Sequence, residues 1–176
     1  MRASRLTDRR RRSRKGDRMR VVVVMVLLLL LEFYLRPALV EIHHGAPDFM
    51  MLVLLLLAIR RSPGVAAVIG LTIGLVIDVL TPAHFGAGIL ASVLVGWGAA
   101  WGRSLFFADN LMVNAALFFI GTWVRDVLLL VFSGTSLKAL PTEALVWAPL
   151  QSLSTAVVGV AVVIVFREWL AIRIEA

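Results

Sequence analysis

The chain has 176 residues, 60% of them hydrophobic, with a mean hydropathy of +0.93. Soluble domains are roughly half apolar, and here apolar runs recur along nearly the whole length, which excludes a soluble domain with a single anchor. The net charge of +7 sits at one end, and the absence of cysteine excludes disulfides, thiolate metal sites and a cysteine nucleophile.

Residues 1–20, MRASRLTDRRRRSRKGDRMR, hold ten of the 18 basic residues, so the rest of the chain is close to neutral. Residues 1–18 read as an unstructured cytoplasmic tail. A topogenic flank obeying the positive-inside rule accounts for its charge. Contact with anionic lipid or an acidic cytoplasmic partner is the alternative. Nucleic acid is not an expected partner, because no aromatic residues interleave the arginines and no folded domain follows. The run from Val21 to Leu31 leads into Glu32 and bulky residues, without the small-x-small site of a cleaved signal peptide.

The apolar runs predict an all-α integral membrane protein with six spans, at 19–35, 47–59, 64–80, 86–102, 111–132 and 144–166. They form one domain over 19–170, followed by a cytoplasmic end at 171–176. The second span is short: before Arg60 and Arg61 it offers about 13 residues, or about 20 Å. It reaches across if the arginines snorkel or if the helix begins within HHGAPDF. With the N-terminus inside, the tail, Arg60, Arg61, Arg103, Arg167 and Arg173 are cytoplasmic, and only Arg36 and Lys138 lie in outer loops. An even number of spans returns the C-terminus to the cytoplasm.

Charged residues inside spans cost a few kcal/mol each and require a reason. Glu32 lies 13 residues into the first span, Asp78 14 residues after Gly64, and Arg125, beside Asp126, 14 residues after Leu111. All three spans run outward, so these groups share a depth about 20 Å from the inner surface of a core about 30 Å thick. Asp48 enters at the outer end of the second span. The cluster reads either as a ligand pocket or as a closed network in which Arg125 pairs with Asp78 or Glu32. The closed Asp78–Arg125 pair is preferred. Arg125 and Asp126 are adjacent, so they are expected to satisfy each other poorly. Snorkelling to the interface is the plain alternative, for Glu32 above all.

In GLTIGLVIDVL, Gly70, Gly74 and Asp78 fall at intervals of four. Lipid tails are as apolar as leucine, so close backbone packing and interhelical hydrogen bonds bind helices in a bilayer. The two glycines predict a groove for a neighbouring helix, with Asp78 facing that neighbour. Gly86, Gly88, Gly96, Gly98 and Gly102 extend the theme to the fourth span. Catalytic and metal signals are weak. His43, His44 and His84 do not converge as zinc ligands. Ser152, Ser154 and Thr155 have no nearby base, and no phosphate or dinucleotide loop occurs. No cofactor is expected.

The order of a basic N-terminus, one span, Pro47-Asp48, a basic turn, G-x-x-x-G-x-x-x-D at Gly70, Gly74 and Asp78, and Gly86 opening the fourth span resembles the MreD family of rod shape-determining membrane proteins. The motif-bearing part is about residues 47–103, while the last two spans match mainly in hydropathy. The resemblance implies a non-enzymatic scaffold of the bacterial cell-elongation complex in the cytoplasmic membrane. Its direct partner would be the bitopic protein MreC. MreB, RodA and a penicillin-binding transpeptidase would share the complex. It also implies a helical fold similar to the substrate-binding subunits of energy-coupling-factor transporters. A solute-binding subunit with an outward pocket lined by Glu32, Asp78, Arg125 and Asp126 is therefore the alternative function.

Overall fold

A computed structural model describes residues 2–42, 45–105, 111–134 and 142–166. Among the described residues six α-helices follow one another: α1 (Arg2–Ile42), α2 (Phe49–Ala58), α3 (Pro63–Leu80), α4 (Ala87–Leu105), α5 (Leu111–Phe132) and α6 (Ala148–Val165). A 3₁₀ turn, Pro82–His84, joins α3 to α4, and a π-helical turn, Glu143–Trp147, leads into α6. The described residues contain no strand, and the protein is an all-α membrane protein. Among the described residues four segments are long and apolar enough to cross a bilayer: Met19–Leu39, Pro63–Leu80, Leu111–Phe132 and Ala144–Val165. The apolar parts of the other two helices, Phe49–Ala58 and Ala87–Gly102, are shorter.

Two boundaries differ from the sequence-based expectation. α1 begins at Arg2, inside the basic segment expected to be unstructured; Arg, Lys, Leu and Met are good helix formers. It also continues past residue 35 with Pro37 inside it, so Arg36 lies on a helix and not in a loop. Proline removes only one backbone donor, and the neighbouring turns carry the helix through. The predicted cytoplasmic end, residues 171–176, lies outside the described residues.

α2 is the axis of the bundle. Nine of its ten residues are buried, and it touches each of the other five helices. Ten residues rise about 15 Å, half the thickness of a bilayer core. α2 therefore lies within protein along its length, with no lipid-facing side. Its Leu52, Leu54, Leu55 and Leu56 meet Val24 and Leu28 of α1, Val95 of α4, Phe118 of α5, and Ala156 and Val163 of α6 in one apolar core. Small residues admit the larger ones. A Cβ at Gly159 would stand 2.6 Å from the Phe118 ring, and one at Gly121 would stand 2.9 Å from Leu55.

The closest packing joins α3 to α4. The buried residues of α3 are Ala66, Gly70, Gly74 and Asp78, each four apart. The outward side exposes Val65, Val68, Leu71, Leu75, Val76 and Val79, as a lipid-facing surface would. α4 runs antiparallel along the small-residue seam. A Cβ on Gly74 would lie 2.6 Å from the Ile89 Cα, and one on Gly70 would strike the backbone of Ser92. Gly96 of α4 approaches the Ala66 carbonyl in return, at 2.7 Å from where its Cβ would stand. Backbone cannot yield as a flexible side chain can, so both glycines of GLTIGLVIDVL are required by contact with α4. Gly98 and Gly102, also predicted to pack inward, have nothing within 4 Å of a would-be Cβ.

These contacts set an expected contrast. Gly74→Leu forces α3 and α4 apart and lowers stability by about 1–3 kcal/mol or more, whereas Gly98→Leu is tolerated. Thermal unfolding of both variants in mild detergent checks it. Equal midpoints for the two would remove the seam from the account of the fold.

Candidate functional site

The buried charged residues of the bundle, Glu32, Asp48, Asp78 and Arg125, gather toward one end, where α2 begins and α3 passes to α4. An α-helix leaves its first four N–H groups without intrahelical acceptors. At a surface water takes them; inside a membrane bundle it does not, and each unsatisfied group costs several kcal/mol. α2 starts inside the protein, so acceptors must be supplied from within. Asp48, its N-cap, accepts from the Met51 N–H at 2.8 Å. Glu32 of α1 accepts from the N–H groups of Phe49 and Met50 at 3.0 and 3.3 Å. The Asp48 carbonyl takes the N–H of Leu52 at 3.1 Å. That last bond is the first within the helix; with the Asp48 N–H accepted by Thr155 Oγ1, the four free amides at the start of α2, those of residues 48–51, are satisfied by two carboxylates and one hydroxyl. Negative charge at this terminus is also favoured by the helix dipole.

Asp78 does the same for α4. Oδ2 accepts from the N–H of Gly86 at 2.8 Å and of Ile89 at 3.1 Å, and Oδ1 accepts from Gly88 at 2.9 Å. Asp78 is 2% exposed. Arg125 is not among its partners, and the expected Asp78–Arg125 pair does not form. The three amides occupy both carboxylate oxygens, and they lie on the chain segment that the α3–α4 seam brings within reach. Gly86, expected to pack against a helix, has open space where a Cβ would be. Its φ of +103° is the reason for glycine there. Gly88 carries the close contact instead, since a Cβ on it would collide with Asp78 Oδ1.

Arg125 turns to Asp48. Its Nη1 lies 2.9 Å from Asp48 Oδ2 and 3.1 Å from Asp126 Oδ1. Adjacent residues on a helix were expected to diverge too far for the second contact. The reach of the arginine side chain back across its own helix makes it possible. Arg36, four residues after Glu32, pairs with Glu32 and stands 3.9 Å from Asp48 Oδ2. Asp48 is thus the centre of a network joining α1, α2 and α5. Thr155 ties in α6, accepting from the Asp48 N–H at 3.0 Å while donating to the Gln151 carbonyl at 2.8 Å. Ser154 Oγ reaches the Gly45 carbonyl at 2.6 Å.

The structure brings together Glu32, Asp48, Arg125 and Asp126 but sets Asp78 in a separate cap at the same end. Sequence reasoning missed Arg36 and Thr155, and it named Gly88 as a packing glycine without its contact to Asp78. Arg36 was legible through its four-residue spacing from Glu32, once the helix is carried through Pro37. Thr155 carried no such signal, because its partner is a distant backbone amide. The hydroxyls of Ser152, Ser154 and Thr155 donate to main-chain carbonyls, so none is held by a base as a nucleophile would be. Among the described residues no group of three or more His, Cys, Asp or Glu is placed to hold a metal ion. His43 and His44 lie outside the described residues. A cavity of about 550 Å³ does exist between α4 and α5, lined by Leu94, Gly98, Gly102, Met112 and Val124 among others. It contains none of the charged residues predicted to line a solute pocket.

The molecule is a polytopic helical membrane protein whose intramembrane carboxylates and arginines bind helix ends and one another. It belongs to the rod shape-determining protein MreD family, whose profile matches residues 16–171. No curated protein and no solved structure matches the chain.

Two outcomes test the assignments. Asp48→Ala leaves Arg125 charged and buried and costs about 3–5 kcal/mol; adding Arg125→Met recovers part of that loss, as a double-mutant cycle in detergent measures. Asp78→Asn, which keeps the shape but weakens acceptance from three N–H groups, costs about 1–2 kcal/mol. Its effect adds to that of Asp48→Ala without coupling, because the two carboxylates cap different helices.

Proposed function

We propose that this protein is a non-enzymatic scaffold of the bacterial cell-elongation complex. In this reading it maintains rod shape by binding MreC and supports peptidoglycan synthesis by the RodA glycosyltransferase and its transpeptidase, with MreB on the cytoplasmic side. The observation that carries the reading is the family match over residues 16–171, nearly the whole chain. The site geometry supports it, because the charged groups are consumed in holding helices. A scaffold needs a fixed arrangement of helices, and buried caps and ion pairs provide that.

The proposed topology has six membrane passes in the cytoplasmic membrane, with both termini inside. α2 is a pass only in company: its short length is made up by the protein that encloses it. The basic residues support the orientation, since the tail, Arg60 and Arg61 fall on the cytoplasmic side of this arrangement. The Asp48 network and the Asp78 cap then lie toward the outer surface. The tail is placed to meet anionic lipid.

Depletion of the protein from its native rod-shaped host is expected to give rounded cells, restored by the wild-type chain. Affinity purification from native membranes in mild detergent is expected to recover a bitopic protein with a periplasmic domain. Rod shape kept on depletion, with a stoichiometric small solute and no morphogenetic partner recovered, would replace the scaffold by a solute-binding subunit.

A further inference from the structure

The charged network contains three carboxylates, Glu32, Asp48 and Asp126, against two guanidinium groups, Arg36 and Arg125. Three of the buried polar atoms around it have no hydrogen-bond partner among the described residues: Thr122 Oγ1, Arg125 Nε and Asp126 Oδ2. Thr122 is 0% exposed and Arg125 5% exposed. They stand at positions i, i+3 and i+4 of α5, so they share one face within a single helical turn. Buried polar atoms in native proteins are almost always satisfied, and three orphans on one turn are not explained as separate accidents.

The chemistry of the three atoms defines what would satisfy them. Arg125 Nε–H can only donate. Asp126 Oδ2, in an ionised carboxylate, can only accept. Thr122 Oγ1 does either. A cation is a poor occupant, because the Arg125 donor faces the same place. An anion is a poor one, because a carboxylate already stands in excess. The group required is small and neutral and carries both a donor and an acceptor. We propose that this face of α5 binds a buried water molecule, which accepts from Arg125 Nε–H and donates to Asp126 Oδ2. Thr122 Oγ1 supplies its third bond. Three hydrogen bonds is the usual complement of a buried water. The water also solvates the one carboxylate that the two guanidinium groups do not balance. It extends the network one turn deeper along α5 than the direct ion pairs reach. The proposal does not depend on which partners the protein has.

Thr122→Val gives a test by sign. If the hydroxyl holds a water, the valine loses that bond and leaves the water short of a partner, and the unfolding midpoint of the full-length protein in detergent falls by about 2–4 °C. If the hydroxyl is truly orphaned, the methyl group of the same shape removes a buried unsatisfied atom and the midpoint rises. Thr122→Ser keeps the hydroxyl and is expected to stay closer to wild type than Thr122→Val does. An experimental structure at a resolution that shows waters is expected to place one within hydrogen-bond distance of all three atoms. A rise in the midpoint of Thr122→Val would overturn the proposal. So would a structure in which protein groups alone, such as the Phe118 carbonyl or a group from residues 135–141, satisfy the three atoms.

Discussion

The structure depends on one constraint: α2 begins inside the protein and α4 begins against the buried Asp78, and their first amides must find acceptors there. Three acidic residues answer it. Asp48 and Glu32 close the start of α2, and Asp78 closes the start of α4. A carboxylate suits the task better than a neutral side chain. Two oxygens accept several N–H groups at once, and the negative charge meets the positive end of the helix dipole. The cost of burying the charge is then offset at the place where it is spent.

The two caps are held by different means. Asp78 sits at the end of a seam of small residues, so backbone contact between α3 and α4 brings the amides of Gly86, Gly88 and Ile89 to it. Its charge is met by amides and the dipole. Asp48 and Glu32 stand among neighbours from three other helices, where guanidinium groups are within reach, and Arg36 and Arg125 complete the neutralisation in part. A buried ion pair is seldom a large source of net stability, but it is specific. Arg125 fits only where Asp48 stands, so it fixes the rotation and depth of α5 against α2. That fixity accords with membership of a shape-determining family.

The central helix shows why polarity and packing belong together here. α2 is too short to cross a bilayer alone, yet it is the most enclosed element. Non-helical backbone at membrane depth is tolerated where it is buried in protein. The segment 45–48 meets that condition through Ser154, which binds the Gly45 carbonyl, and Thr155, which binds the Asp48 amide. The last helix thus closes the entrance to the second.

Much of this was legible in the residues. Hydropathy and length placed the long apolar segments within a few residues, because an apolar run of that length has little alternative to a membrane helix. The four-residue spacing of Gly70, Gly74 and Asp78 put one face of α3 against a neighbour, since i and i+4 share a face whatever the fold. Counting along the helices gave Glu32, Asp78 and Arg125 one expected depth, because helical rise is constant. Which charge met which was not legible. Asp78 and Glu32 shared an expected depth with Arg125, yet Arg125 joined Asp48, and Asp78 took backbone amides that look the same at every position of a sequence. The sequence by itself determined the helices, their small-residue faces and the level of the polar groups, all properties of single elements with a fixed rise and turn. Only the tertiary structure decided the partners, because pairing is set by the rotation of each helix about its axis and by where its free N–H groups emerge.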